Sequence, residues 1–238
     1  MKKSCLLILI IFSFSCIEKT PLTFTEISSK FNNNAIIEIN VPNAEGDTPL
    51  SKIINAKIET HIANQLNFNE DDTDSIILSD VVKKFDAEYK TFKNDFEENA
   101  LIWEAMFDGE VTYQSSEIIS IAITSYLNTG GAHGNMNVVF LNFDANTGNL
   151  LGFSDIVSNK TAFEDIAKTH FKVATQIVDD TGYGDYFFDE NFHLPSNIGF
   201  NDEGLTLFYN VYEIASYAIG ITDFTIPYNE ISDYLKID

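Results

Sequence analysis

Thr129-Gly130-Gly131-Ala132-His133-Gly134 lies between two apolar runs, residues 118–127 and 136–143, and the fold turns on how this bend is read. Ile118, Ile119, Ile121, Ile123 and Tyr126 precede it, and Val138, Val139, Phe140, Leu141 and Phe143 follow. These are the β-branched and aromatic residues of strands. Three glycines in five residues let the backbone take positive φ and leave its N–H groups unscreened. The stretch therefore predicts a strand, a tight turn and a second strand, with His133 carried where a polar group can face a cleft.

Upstream, residues 35–41 alternate and are β-branched, which predicts a strand stopped by Pro42-Asn43 and Gly46-Asp47. Thr48 followed by Pro49 is a helix start, and Ile54, Ile58, Ile62 and Leu66 form the apolar stripe of that helix. His61 falls off the stripe and reads as solvated. Ser79 or Asp80 is the expected cap of a second amphipathic helix carrying Val82, Phe85, Tyr89, Phe92 and Phe96. Residues 103–113 read as a strand pair turning at Asp108-Gly109, a favoured hairpin dipeptide.

Downstream come a turn at residues 144–148, a short capped turn at 153–157, and a helix over 161–178 with Phe163, Ile166, Ala167, Phe171 and Ala174 on one face. His170 shares that face and reads as a hydrogen-bonded core histidine. Residues 181–191 form a glycine- and aspartate-rich loop whose rings cover apolar surface. Strands are expected at 205–211 and 220–226, and Pro227 opens a last short helix with Ile231 and Leu235. The elements alternate irregularly, with no repeated βαβ units and no phosphate-binding glycine loop. The predicted class is α+β: a mostly antiparallel sheet with amphipathic helices packed on it, in two associated subdomains.

The 238 residues, 45% hydrophobic and with 20 Phe and 10 Tyr, can bury a large aromatic core. All 14 basic residues are lysine, and the formal charge is −22. Without arginine there is no planar fork for bidentate phosphate capture, and the charge excludes nucleic acid as an expected partner. A cationic partner would be attracted at long range; acidity that serves solubility alone is the plainer alternative.

Lys2 and Lys3 precede an apolar run, residues 6–14, too short to span a bilayer. Ser13-Phe14-Ser15-Cys16 resembles the lipobox of bacterial lipoproteins, in which the cysteine is acylated and becomes the mature N-terminus; an ordinary secretory signal cut nearby is the alternative. The expected divisions are a signal peptide at 1–15, a tether at 16–29, and modules at 30–115 and 116–238. Cys5 would leave with the signal and Cys16 would carry lipid, so no disulfide is expected. The acidic stretch 69–75 lacks the glycine and closing glutamate of a calcium loop. The four histidines, His61, His133, His170 and His193, are not at zinc-ligand spacing, and no metal or other cofactor is expected.

Tyr126 with Gly130, Gly131, His133 and Gly134 resembles the tyrosine-plus-GGAHG signature of a bacterial envelope domain. That domain occurs in RsiV-type lysozyme-sensing anti-sigma factors and in PdaC-type peptidoglycan deacetylases. Phe208 through Gly220, containing Tyr212-Glu213-Ile214-Ala215-Ser216-Tyr217-Ala218, followed by Phe224-Thr225-Ile226-Pro227-Tyr228, is similar to the Y-E-I-A-P-Y-A-x-G…I-P-Y ending of the same family, with Ser216 where proline is usual. Residues 36–66 and 102–113 are more loosely similar to the module that commonly precedes the domain. No segment reads as a spanning helix or a polysaccharide-deacetylase domain, so neither sigma-factor control nor deacetylation carries over.

The resemblance implies an exported, lipid-anchored envelope module, periplasmic or associated with the outer membrane. Its expected role is to bind a cationic protein such as lysozyme or a cell-wall glycan such as peptidoglycan. Candidate binding residues are Tyr126, Gly130, Gly131, His133, Gly134, Tyr212, Glu213 and Tyr217, and Cys16 is the candidate lipidation site. The alternative is a cell-wall hydrolase or deacetylase using His133 with nearby carboxylates, Glu213 being the acid that could reach it. No serine elbow, cysteine nucleophile or HExxH pair accompanies that histidine.

Overall fold

The computed structural model describes residues 21–68, 77–96, 101–177 and 183–237. Five strands form the first sheet: β1 (Phe24–Asn32), β2 (Ile36–Ala44), β3 (Glu104–Gln114), β4 (Ile118–Asn128) and β5 (Asn135–Asp144), side by side in chain order. Every neighbouring pair is antiparallel except β2 and β3. That one parallel pair is joined by two helices, α1 (Pro49–Leu66) and α2 (Leu78–Asp95), which cross one face of the sheet. Thr48 caps α1 reciprocally: the Ser51 N–H donates to Thr48 Oγ1 and the Thr48 N–H to Ser51 Oγ. Ile54, Ile58, Ile62 and Leu66 of α1 then pack with Phe85 and Tyr89 of α2 on Ile37, Phe107, Ile121 and Phe143 of the sheet.

The C-terminal half adds the short α3 (Phe153–Ile156), α4 (Lys160–Ala174), a sheet of β6 (Ile198–Phe200), β7 (Gly204–Tyr209) and β8 (Thr222–Pro227), and α5 (Tyr228–Ile231). Phe171 of α4 is the hub of its core, with ring centroids 5.3 Å from Tyr186, 5.0 Å from Phe187, 5.5 Å from Phe192 and 6.0 Å from Tyr209. The rings expected to cover apolar surface from the 181–191 loop do so through Tyr183, Tyr186 and Phe187.

The two halves are joined by rings, with Tyr113 5.9 Å from Phe200 and Phe140 6.0 Å from Phe208, and by polar groups. Asn142 of β5 accepts from Ser120 Oγ of β4 and donates through Nδ2 to the Ile198 carbonyl, while the Phe200 N–H donates to Ser120 Oγ. Ser120 and Asn142 are buried, so these bonds are shielded from competing water. At the outer edge of β5 the Val138 N–H donates to Asn210 Oδ1 and the Phe140 N–H to Asn197 Oδ1; Nδ2 of both asparagines returns to the Val138 carbonyl. Two side-chain amides thus stand in for a sixth strand along this edge.

The fold is α+β with a mostly antiparallel main sheet and two associated parts. Several local expectations are corrected. Residues 103–113 are not a hairpin: Asp108 and Gly109 lie inside the single strand β3. Gly109 is there because a Cβ would stand 3.0 Å from Pro42 Cδ and 3.2 Å from Val41 Cγ1 of β2. Part of the expected tether, from Phe24, is strand β1. The division expected between 115 and 116 falls at the turn from β3 to β4, inside the main sheet. Helix α2 has Ile77 at its N-cap with no side-chain bond, so neither Ser79 nor Asp80 caps it. His61 is half-buried rather than solvated. His170 does find a partner, Glu230 Oε2 at 2.9 Å on α5, at the surface rather than in the core. The signal and lipidation segment and the acidic stretch 69–75 lie outside the described residues. Among the described residues no helix is long and apolar enough to cross a membrane.

Candidate functional site

The GGAHG bend connects β4 to β5 and is held by aromatic rings from three directions. Gly130 takes φ +87°, and its N–H donates to Asn128 Oδ1 at 3.1 Å. A Cβ there would lie 3.7 Å from the Phe92 ring and from Trp103 Nε1, so the bend rests on the aromatic cluster between α2 and β3. Gly134 is buried against the Tyr126 ring: a Cβ would come within 2.3 Å of it. Only glycine fits beneath that tyrosine. Gly131 is exposed and under no comparable constraint, its nearest contact being the His133 carbonyl at 3.6 Å.

His133 is exposed, and its ring lies on Tyr217 with centroids 4.2 Å apart and planes 25° from parallel. Tyr217 in turn lies 5.6 Å from Tyr212. Nδ1 of His133 is 3.0 Å from the Gly134 carbonyl. A carbonyl only accepts, so Nδ1 carries the proton in that bond, and the tautomer with one ring proton has its acceptor lone pair at Nε2.

The two tyrosines come from the turns between β7 and β8. Ile214 and Ala215 anchor this segment in the C-terminal core, while Tyr212 and Tyr217 stay exposed. Tyr212 has φ +67°, a conformation that costs a non-glycine residue about 1 kcal/mol or more and marks a turn held by its surroundings. The hold is reciprocal: the Asn210 N–H donates to Glu213 Oε2 at 2.9 Å, and the Glu213 N–H to the Asn210 carbonyl at 3.1 Å. Burial pushes the Glu213 carboxyl up, and the Asn210 N–H and the nearby His193 partly pull it back.

The structure therefore brings His133, Tyr217 and Tyr212 together and stacks Tyr126 on Gly134. It turns Glu213 inward, to a structural bond with Asn210 rather than to His133. The link between the bend and the C-terminal segment is aromatic, not ionic. Sequence reading missed Asn210 and Asn197, which carry the C-terminal half onto β5. Their only signal was the presence of amides beside strand ends, which is also the mark of an ordinary turn. Residues 118–143, which include β4, the whole bend and all of β5 but its last residue Asp144, contain no Asp, Glu or Lys, although the chain as a whole carries a net −22. The bend is thus an aromatic and amide surface without charged side chains, set in an acidic protein. Among the described residues no three His, Cys, Asp or Glu side chains converge as a metal site would require.

Residues 29–136 match the sequence model of the family described as Deacetylase PdaC, and residues 153–229 match that of the Protein of unknown function (DUF3298). His133 belongs to the first segment, and Tyr212 and Tyr217 to the second. A crystal structure of a DUF3298 family member from Bacteroides fragilis superposes with a TM-score of 0.72 at 20% identity, covering 90% of this chain and 93% of that one. One from Pseudomonas aeruginosa gives 0.62 at 20% identity, covering 91% and 95%. These likenesses show the fold. No curated protein matches the chain. The two family matches together give a PdaC-like segment followed by a DUF3298 segment.

Proposed function

We propose that this PdaC-like and DUF3298 chain is a lipid-anchored binding module of the cell envelope, and that the His133–Tyr217–Tyr212 surface takes a cell-wall glycan. The observation that carries the reading is the exposed ring stack of His133, Tyr217 and Tyr212, with His133 in a stretch that holds no charged side chain. A sugar ring presents an apolar C–H face and a rim of hydroxyls. Aromatic faces bury the first, while Nε2 of His133 and the amides of Asn128 and Asn135 can bond the second. A charged ligand would find no counter-charge in residues 118–143.

The test is sedimentation with purified peptidoglycan, comparing the native chain with Tyr217→Ala. Binding that the substitution weakens at least about tenfold supports the proposal. No binding, or binding indifferent to Tyr217, removes it.

A second reading, a cationic protein such as lysozyme, is favoured by the net charge of −22. The two part company over salt: charge-led capture falls as ionic strength rises, and stacking on a neutral sugar does not. The anchor is tested separately, by incorporation of a labelled fatty acid that Cys16→Ser abolishes.

A further inference from the structure

We infer that β1 is a self-pairing edge through which two copies of this chain join their main sheets. The two edges of that sheet are treated differently. Asn197 and Asn210 occupy the β5 edge, whereas β1 pairs with β2 alone and nothing described lies along its other side. Over nine residues β1 holds an unbroken register with β2, without proline or bulge, and its two charged residues, Glu26 and Lys30, are of opposite sign. Helices α1 and α2 leave the inner face of β1 partly open. Ile27 and Phe31 are left 41% and 38% exposed, beside a groove of about 310 Å³ that they line with Ile62, Ile77, Leu78 and Val82.

The occupant follows from the strand's own sequence. Pairing β1 antiparallel with a second β1 about Ser28 sets Glu26 of each copy opposite Lys30 of the other. Lys30 already bonds Glu38 of its own β2, so one face of the joined sheet carries an alternating Glu38, Lys30, Glu26 row. On the other face Ile27 and Phe31 of the two copies become diagonal neighbours and cover one another's exposed surface. The only opposition is the −22 carried by each copy, which salt screens. Dimerisation therefore strengthens with ionic strength, the reverse of an association driven by net charge.

The experiment uses the full chain in detergent with Cys5 and Cys16 changed to serine. Sedimentation equilibrium is expected to show a dimer that tightens from roughly 0.02 M to roughly 0.3 M salt. Ile27→Lys with Phe31→Lys should weaken it by ~tenfold or more while leaving the circular dichroism and melting midpoint of the monomer unchanged. Ser28→Cys should cross-link under mild oxidation, because its position faces itself across the two-fold, and Thr25→Cys should not. A chain monomeric at every salt concentration overturns the inference. So does a dimer that survives the lysine pair, or one that the Thr25→Cys variant cross-links as readily as Ser28→Cys.

Discussion

The rings of His133 and Tyr217 lie 4.2 Å apart and nearly parallel, one from the bend between β4 and β5 and the other from the turns between β7 and β8. The contact joins the two matched segments of the chain at the surface, where neither ring is needed to fill a core. Replacing Tyr217 with Ala should therefore cut glycan binding about tenfold or more while changing stability by less than about 1 kcal/mol. His133→Phe keeps a ring on Tyr217 but loses the Nε2 acceptor. It should retain part of the affinity, with a loss of about fivefold for one hydrogen bond. Titration calorimetry and chemical denaturation on the same samples separate the two effects.

Gly134 is the point where the bend cannot tolerate a side chain. Gly134→Ala forces a Cβ into the Tyr126 ring and should cost about 1–3 kcal/mol. Adding Tyr126→Ala frees the space, so the double variant should be less unstable than the two single losses summed. A cycle of denaturant midpoints measures the coupling.

Asn197 and Asn210 each bond the edge of β5 twice. Either one changed to Ala strands buried or half-buried backbone groups at Val138 and Phe140, at about 1–3 kcal/mol. Hydrogen exchange at those two amides should accelerate more than at the interior of β4, which localises the loss to the seam between the halves.

His61 supplies a pH dependence. Its Nε2 is buried with no hydrogen-bond partner among the described residues, and burial lowers its pKa from 6.5. The unfolded chain then binds a proton that the folded chain resists, so stability falls as pH drops below 6.5 and levels off below the folded value. His61→Leu should remove this component and add about 1 kcal/mol at neutral pH. Urea unfolding across pH 5–8 should show the gain widening towards acid.

Asp86 acts with the opposite sign. Burial works against its charge, but bonds from the Asn34 side chain and from the Ala35 and Asn34 N–H groups outweigh that and hold the carboxyl below its usual range. The aspartate pins the turn between β1 and β2 to α2. Its stabilisation is full above the unfolded pKa and is lost as pH falls through the depressed folded one. Because these bonds are partly open to water, Asp86→Ala should cost about 0.5–1.5 kcal/mol at pH 7, shrinking towards zero in strong acid.

How much of this was legible follows from burial. The stripe of Ile54, Ile58, Ile62 and Leu66 and the ring row of α2 could be read because one face is dry and the other wet, which writes a period into the sequence. β1 carries no such record: exposed along nearly its whole length, it has no alternation to betray it, and β6 is only three residues long. Asp108-Gly109 looks like a hairpin because a glycine makes room, yet here the room is for Pro42 across the sheet rather than for a turn. The GGAHG bend was visible for the same reason, correctly applied, since Gly130 does need positive φ. Which partner His133 would meet was not visible. Tyr217 and Glu213 stand four residues apart, and only the strained turn at Tyr212 decides which of them faces out.

The Gln114 Nε2 donates to the Leu22 carbonyl at 2.7 Å, which fastens the start of the described chain to the end of the sheet opposite the GGAHG bend. Between those ends runs β4, whose 11 residues at ~3.3 Å each make a rigid spacer of roughly 35 Å. If Cys16 carries the proposed acyl group, only five residues separate it from Leu22. The polar headgroups would then lie at the base of that spacer and the ring pair at its tip, aimed outward into the surrounding polymer and beyond reach of the lipid.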